Sequence, residues 1–185
     1  KVYYDIYDYV PKKIVPKFTL GVKAGVNMQQ ISGDLSGEKY NAGFVGGLFA
    51  GVTKNKIGVQ IEGLIKSAKV DYKPAIAATT ATIKTVSLDI PIMFEYKLFW
   101  HVWLQAGPQF SSIISFNSNN SAITEKNLNT TNFDGLVGLQ ANLPARISVG
   151  ARYVLGLTDM NKSVPAATQA WNARSIQLSV GFRFL

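Results

Sequence analysis

The residues able to do chemistry are few and widely spaced. His101 is the sole histidine and lies between Trp100 and Val102, beside a short turn. A hydrolytic centre needs such a group within reach of a Ser or Asp at an exposed rim, and nothing around His101 offers that. Asp89 and Glu95 share one face of an alternating segment, but six residues of extended chain separate them by ~20 Å, too far for an acid/base pair. The chain has no cysteine, which excludes a thiolate nucleophile, a disulfide scaffold and a thiolate metal site. No His/Asp/Glu spacing matches a metal centre. The glycines sit inside alternating segments rather than at a strand-to-helix phosphate cradle. These residues point to a non-enzymatic protein without cofactor or metal.

The remaining charged groups have a different use. Lys23, Glu62, Lys66, Asp89, Glu95, Asp134, Arg152 and Arg183 fall on the polar faces of segments whose other faces are apolar, together with Gln60, Gln105, Gln109 and Gln140. If the apolar faces meet lipid, these groups point into a common interior. The interior of an eight-stranded barrel is only wide enough for side chains, and buried charges are expensive unless paired. A hydrogen-bonded ion-pair network filling the lumen is the expectation.

The segments that position them read as strands. Ser175 to Leu185 alternates strictly, with Ile176, Leu178, Val180, Phe182 and Phe184 opposite Gln177, Ser179, Gly181 and Arg183. This is period-two patterning of about the length a tilted membrane strand requires. Similar patterns cover Phe18 to Met28, Ala42 to Thr53, Ile57 to Lys66, Val86 to Lys97, Val102 to Ser111, Phe133 to Asn142 and Arg146 to Leu155. Tight turns at Lys54-Asn55-Lys56, Leu98 to Trp100 and Leu143-Pro144-Ala145 alternate with polar connections near 29–41, 69–83, 116–131 and 158–172. Eight strands with alternating short and long connections predict an all-β, eight-stranded antiparallel transmembrane barrel with both termini periplasmic. Phe18, Tyr96, Phe99, Trp100, Trp103, Phe182 and Phe184 lie near the short turns, and Tyr40, Tyr72, Phe116, Phe133 and Trp171 near the long connections, as two interfacial girdles. Pro91 lies mid-strand, where it removes a ladder donor and predicts a bulge or a local break. The glycines of the second strand, Gly43, Gly46, Gly47 and Gly51, predict strand curvature or a packing face.

Residues 1–17 stand apart as a periplasmic arm, with Tyr3, Tyr4, Tyr7 and Tyr9 followed by Pro11 and Pro16. The tyrosines are candidates for partner contact, and the barrel domain then spans 18–185. The chain opens on Lys1 without a signal-peptide pattern, so removal of a targeting segment is expected. No run approaches the length of a transmembrane helix, which leaves a closed barrel as the means of crossing a bilayer. The formal charge is +8, but the cations are dispersed, with one cluster at Lys12, Lys13 and Lys17. That pattern argues against nucleic acid and for anionic headgroups of the bilayer or lipopolysaccharide. A soluble lipocalin-type barrel also has eight strands but requires apolar residues inside.

Several pieces resemble the PorT-like outer-membrane β-barrel family common in Bacteroidetes: G-V-K-A-G-V-N at Gly21 to Asn27, A-G-F-V-G-G-L-F-A-G at Ala42 to Gly51, L-D-I-P-I-M-F-E-Y-K at Leu88 to Lys97, L-Q-A-G-P-Q-F at Leu104 to Phe110, G-A-R-Y-V-L-G-L-T-D at Gly150 to Asp159, and the terminal F-R-F. The final Leu185 after Phe184 departs from the usual terminal aromatic. The resemblance implies a small eight-stranded outer-membrane barrel serving a secretion, transport or assembly complex beside other outer-membrane or periplasmic proteins. A small gated pore and a loop-based binding or adhesion module are the alternatives.

Overall fold

The computed structural model describes residues 15–32, 41–72, 81–118, 131–158 and 172–185. The tyrosines of the arm lie outside the described residues. Eight strands follow in order: β1 (Lys17–Ser32), β2 (Asn41–Lys54), β3 (Ile57–Tyr72), β4 (Ala81–Phe99), β5 (Val102–Ser118), β6 (Thr131–Asn142), β7 (Ile147–Gly156) and β8 (Asn172–Arg183). Each pairs antiparallel with the next, and β8 returns to β1 through Val22 opposite Phe182 and Met28 opposite Ile176, closing the barrel. Closure leaves no free edge, so every strand has neighbours for its ladder groups on both sides.

The strands outrun their sequence-predicted limits at the long-connection end. Val70 opposite Ile83 and Tyr72 opposite Ala81 continue the β3–β4 ladder through a stretch whose Ala/Thr composition reads as loop. Backbone hydrogen bonding continues a ladder without needing an apolar face. At 19 residues, β4 extends ~60 Å, longer than the bilayer core even when tilted.

Alternation sorts the side chains as expected for a membrane barrel. Among the described residues the buried set contains nineteen polar or charged residues against seven apolar ones, while Phe44, Leu48, Ile61, Phe94, Val180 and many others project outward. This inversion rules out the lipocalin arrangement. The side chains of Phe18, Tyr96, Phe99, Trp100, Phe182 and Phe184 are exposed around the short-turn end, and Phe133 at the other, packed edge-on to Phe110 at 5.4 Å. Trp103 corrects the girdle assignment: it shares its face with Gln105 and Gln109 and is buried inside the short-turn mouth. Its nearness to the turn is a matter of height, whereas its direction follows from parity.

Pro91 faces the lumen and is fully buried. Pairing of β4 with β3 lapses between Ile92 and Asp89, and with β5 between Pro91 and Phe94, yet the register is the same on either side. Pro91 therefore breaks the ladder locally without a bulge. The register shifts lie elsewhere, at Val86/Ser87 and Lys97/Phe99. In β2, a Cβ on lumen-facing Gly47 would overlap the Gly63 carbonyl oxygen of β3, so glycine lets two sharply coiled strands approach. Outside, β2 presents Phe44 and Leu48, which makes curvature the better account of its glycines.

Candidate functional site: the charged lumen

The lumen holds two polar clusters. In the one nearer the short turns, Glu62 of β3 is the hub. Arg152 of β7 donates to both its oxygens, Nη1 to Oε2 and Nη2 to Oε1, each at 2.6 Å. Lys23 Nζ of β1 donates to Oε1 at 2.5 Å, and Gln60 Nε2 donates to the same oxygen at 2.6 Å. The Glu62 side chain has no solvent exposure, and those of Lys23 and Arg152 have 4% and 2%. Amides extend the cluster: Arg152 Nε donates to Gln105 Oε1, and Gln105 Nε2 donates to Glu95 Oε1 and Gln140 Oε1. Six strands thus meet in one network of two cations, two carboxylates and neutral amides. Bidentate Arg–carboxylate geometry is the arrangement that best compensates burial of a charge.

Toward the long connections, Lys66 Nζ of β3 lies 2.8 Å from Asp89 Oδ2 of β4. Asp89 also accepts from Ser87 Oγ at 2.9 Å and Gln109 Nε2 at 3.3 Å. Gln109 and Ser111 of β5 in turn donate to Asp134 Oδ2 of β6 at 3.0 and 2.8 Å. Between the clusters Met93, Leu136 and Val154 form an apolar collar, all three buried.

Of the eight charged residues expected in the lumen, three form the Glu62 triad, Glu95 joins it through Gln105, and Lys66, Asp89 and Asp134 form the second cluster. Arg183 is in neither. Its Nη2 donates to the carbonyls of Leu143 at 3.1 Å and Ile147 at 3.4 Å, so it braces the β6–β7 turn at the rim. Parity points it inward, but it lies at the height of the mouth. Charge alone does not mark the collar. Leu136 lies two residues from Asp134, Met93 two from Glu95 and Val154 two from Arg152, so alternation from the charged positions would have found all three.

Two openings flank the clusters. At the long-connection end is a polar recess of about 50 Å³ beside Lys66, Ser111, Asn132 and Asp134. At the short-turn end is a vestibule of about 380 Å³, its floor formed by Gln60, Glu95 and Gln140 and its rim bearing Lys17, Lys97, Arg146 and Arg183. His101 lies exposed on that rim. Among the described residues no three His, Cys, Asp or Glu side chains are grouped to hold a metal ion.

A closed antiparallel barrel that is apolar outside and ionic inside defines an outer-membrane barrel protein. The chain belongs to the outer membrane protein beta-barrel domain family, whose model matches residues 17–184, and its place is the outer membrane. A search of curated proteins returns no match. Among solved structures it is similar to the Neisserial surface protein A, at 15% identity and TM-score 0.58, covering 89% of this chain and 97% of that one. It is likewise similar to Ail, the attachment invasion locus protein of Yersinia pestis, at 15% identity and TM-score 0.56, covering 91% and 99%. At that identity the likeness concerns the fold.

Proposed function

We propose that this protein is a non-enzymatic, closed outer-membrane barrel of the PorT-like type, an accessory subunit of an envelope secretion, transport or assembly complex. The observation supporting a closed lumen is the Lys23–Glu62–Arg152 triad, which crosses the interior from three strands and has its charges balanced once Glu95 of the same network is counted. A water-filled pore lined by the same residues would leave them hydrated and apart. The triad acts as a structural plug, and the apolar collar above it is a second barrier that disfavours water. With the interior filled, contact with partner outer-membrane or periplasmic proteins falls to the outer wall, the long connections and the arm bearing Tyr3, Tyr4, Tyr7 and Tyr9. Lipopolysaccharide and the bilayer surround the wall.

Two measurements test this reading. In planar bilayers the intact protein gives no single-channel steps, and reproducible steps would overturn the plugged lumen. Mild-detergent extraction of the native membrane, pull-down of this chain and mass spectrometry recover stoichiometric envelope proteins. Recovery of the barrel alone would overturn the accessory role.

A further inference from the structure

The short-turn mouth has chemistry that the closed lumen does not use. Lys17, Lys97 and Arg183 stand on the inward parity of β1, β4 and β8, the parity of Lys23, Glu95 and Gly181, so they turn to the vestibule and not to the lipid wall. Arg146 joins them from the β6–β7 turn. Among the described residues Glu95 is the one carboxylate side chain lining the vestibule, and it already accepts from Gln105 Nε2 at 2.6 Å. Even with a terminal carboxylate on Leu185 counted, four cations face two anions. Among the described residues none of the four makes a salt bridge, in contrast to Lys23, Lys66 and Arg152. The composition of residues 1–14 does not redress the balance, because it sets Lys1, Lys12 and Lys13 against Asp5 and Asp8.

The two arginines are neighbours. Arg183 N donates to Arg146 O at 2.9 Å, which sets two residues of the same charge side by side. Their guanidinium groups reach only backbone carbonyls: Arg146 Nη1 donates to Phe184 O at 3.0 Å, and Arg183 Nη2 to Leu143 O and Ile147 O. Neutral carbonyls fix the two forks in place and leave both charges uncompensated. Arg183 Nε is buried without a hydrogen-bond partner among the described residues, and an unmet buried donor is destabilising. Ala145 and Arg146 also sit at φ of 59° and 65°, the turn geometry that favours Asn-Gly. An arginine in the glycine place is strained backbone, and such strain collects at binding sites.

Two adjacent forks flanked by two ammonium groups suit an anion with several oxygens and more than one charge. A phosphate ester brings three acceptor oxygens and a charge of about −2, and its oxygens match the guanidinium fork edge to edge. A lone carboxylate would leave most of the surplus unmet. The vestibule, about 380 Å³, has room for a small organic body beside the phosphate, and Trp100 and Trp103 line it with aromatic surface.

We propose that the short-turn vestibule is a binding site for a phosphate ester, held between the paired forks of Arg146 and Arg183 with Lys17 and Lys97 beside them. The site lies outside the Glu62 triad, so it stands whether or not the lumen conducts and whether or not the barrel serves a larger complex.

The test uses the full chain in nonionic detergent micelles, which carry no phosphate of their own. Isothermal titration calorimetry is run with glycerol 3-phosphate as the soluble ligand and, in a second arm, with phosphatidylglycerol mixed into the micelles. One saturable site per barrel is expected. Arg146→Gln weakens it by about tenfold or more, the loss of a charged hydrogen-bond donor, and Arg146→Lys, which keeps the charge without the fork, falls between. Lys97→Gln weakens binding as well and leaves the β6–β7 turn untouched, and circular dichroism confirms that each variant is folded. Lys54→Gln with Lys56→Gln removes two exposed cations from the same end of the barrel but outside the vestibule, and leaves the affinity unchanged. Saturation by glycerol 3-phosphate identifies a water-borne ester, and saturation by phosphatidylglycerol alone identifies a lipid headgroup; either supports the site. Absence of saturable binding in both arms would overturn it. An affinity indifferent to Arg146→Gln, or lowered equally by the Lys54 and Lys56 changes, would overturn it too, since the rim would then act only as diffuse charge.

Discussion

The two polar clusters of the lumen share strands β3 to β6 but are held in different ways. Around Glu62, charge is balanced, the Arg152 contact is bidentate, six strands converge, and the side chains of the Lys23–Glu62–Arg152 triad are at most 4% exposed. Around Asp89 and Asp134, two carboxylates face one lysine, most contacts are single bonds from Ser and Gln, and the Lys66 side chain is 13% exposed. The first cluster gains from being sealed, since each charge depends on its partners alone. The second tolerates an opening, since solvent at the recess can share the load. The Met93–Leu136–Val154 collar separates the two regimes.

That contrast is easily tested by removing one member at a time. Glu62→Leu leaves Lys23 and Arg152 facing each other in the sealed half and is expected to cost about 3–5 kcal/mol, read from urea unfolding in lipid vesicles. Replacing all three triad members by apolar residues of similar size costs less than the single change, and a larger loss would refute the view of Glu62 as a compensating hub. Leu136→Ala opens the collar and is expected to cost about 2–3 kcal/mol, by lost burial and the cavity left behind; the same urea titration measures it. Asp89→Asn sits in the more open half, where Lys66 can turn to solvent, and about 1–2 kcal/mol is expected. If Asp89→Asn proved as damaging as Glu62→Leu, the two halves would not differ in the way described.

Much of the architecture is legible in single residues. Ile176, Leu178 and Val180 alternate with Gln177 and Ser179, and in the structure the first three are exposed and the others buried. On the same parity Lys23, Glu62, Asp89, Glu95, Gln105, Gln109, Gln140 and Arg152 are buried. Parity assigns a face but neither height nor partner. Height near a turn suggests the girdle for Trp103, whose parity with Gln105 turns it into the mouth, and parity alone suggests the network for Arg183, whose height sets it bracing a turn. The ends of β3 and β4 read as loop in sequence because their composition loses its apolar face before their ladder loses its hydrogen bonds. The Pro91 break was anticipated from the missing donor, but retention of register across it depends on the strands on either side.

What the sequence determined by itself is thus local: a two-residue period repeated eight times, turns of alternating length, and a polar face for each charged group, all set by the geometry of extended chain. What the tertiary structure decided is which charges meet. Glu62 and Arg152 are 90 residues apart, and Lys23 reaches Glu62 from a strand that is not its ladder neighbour. Those contacts arise only when the sheet closes with a particular stagger, because closure fixes the height at which each inward side chain enters a lumen too narrow to leave any of them alone.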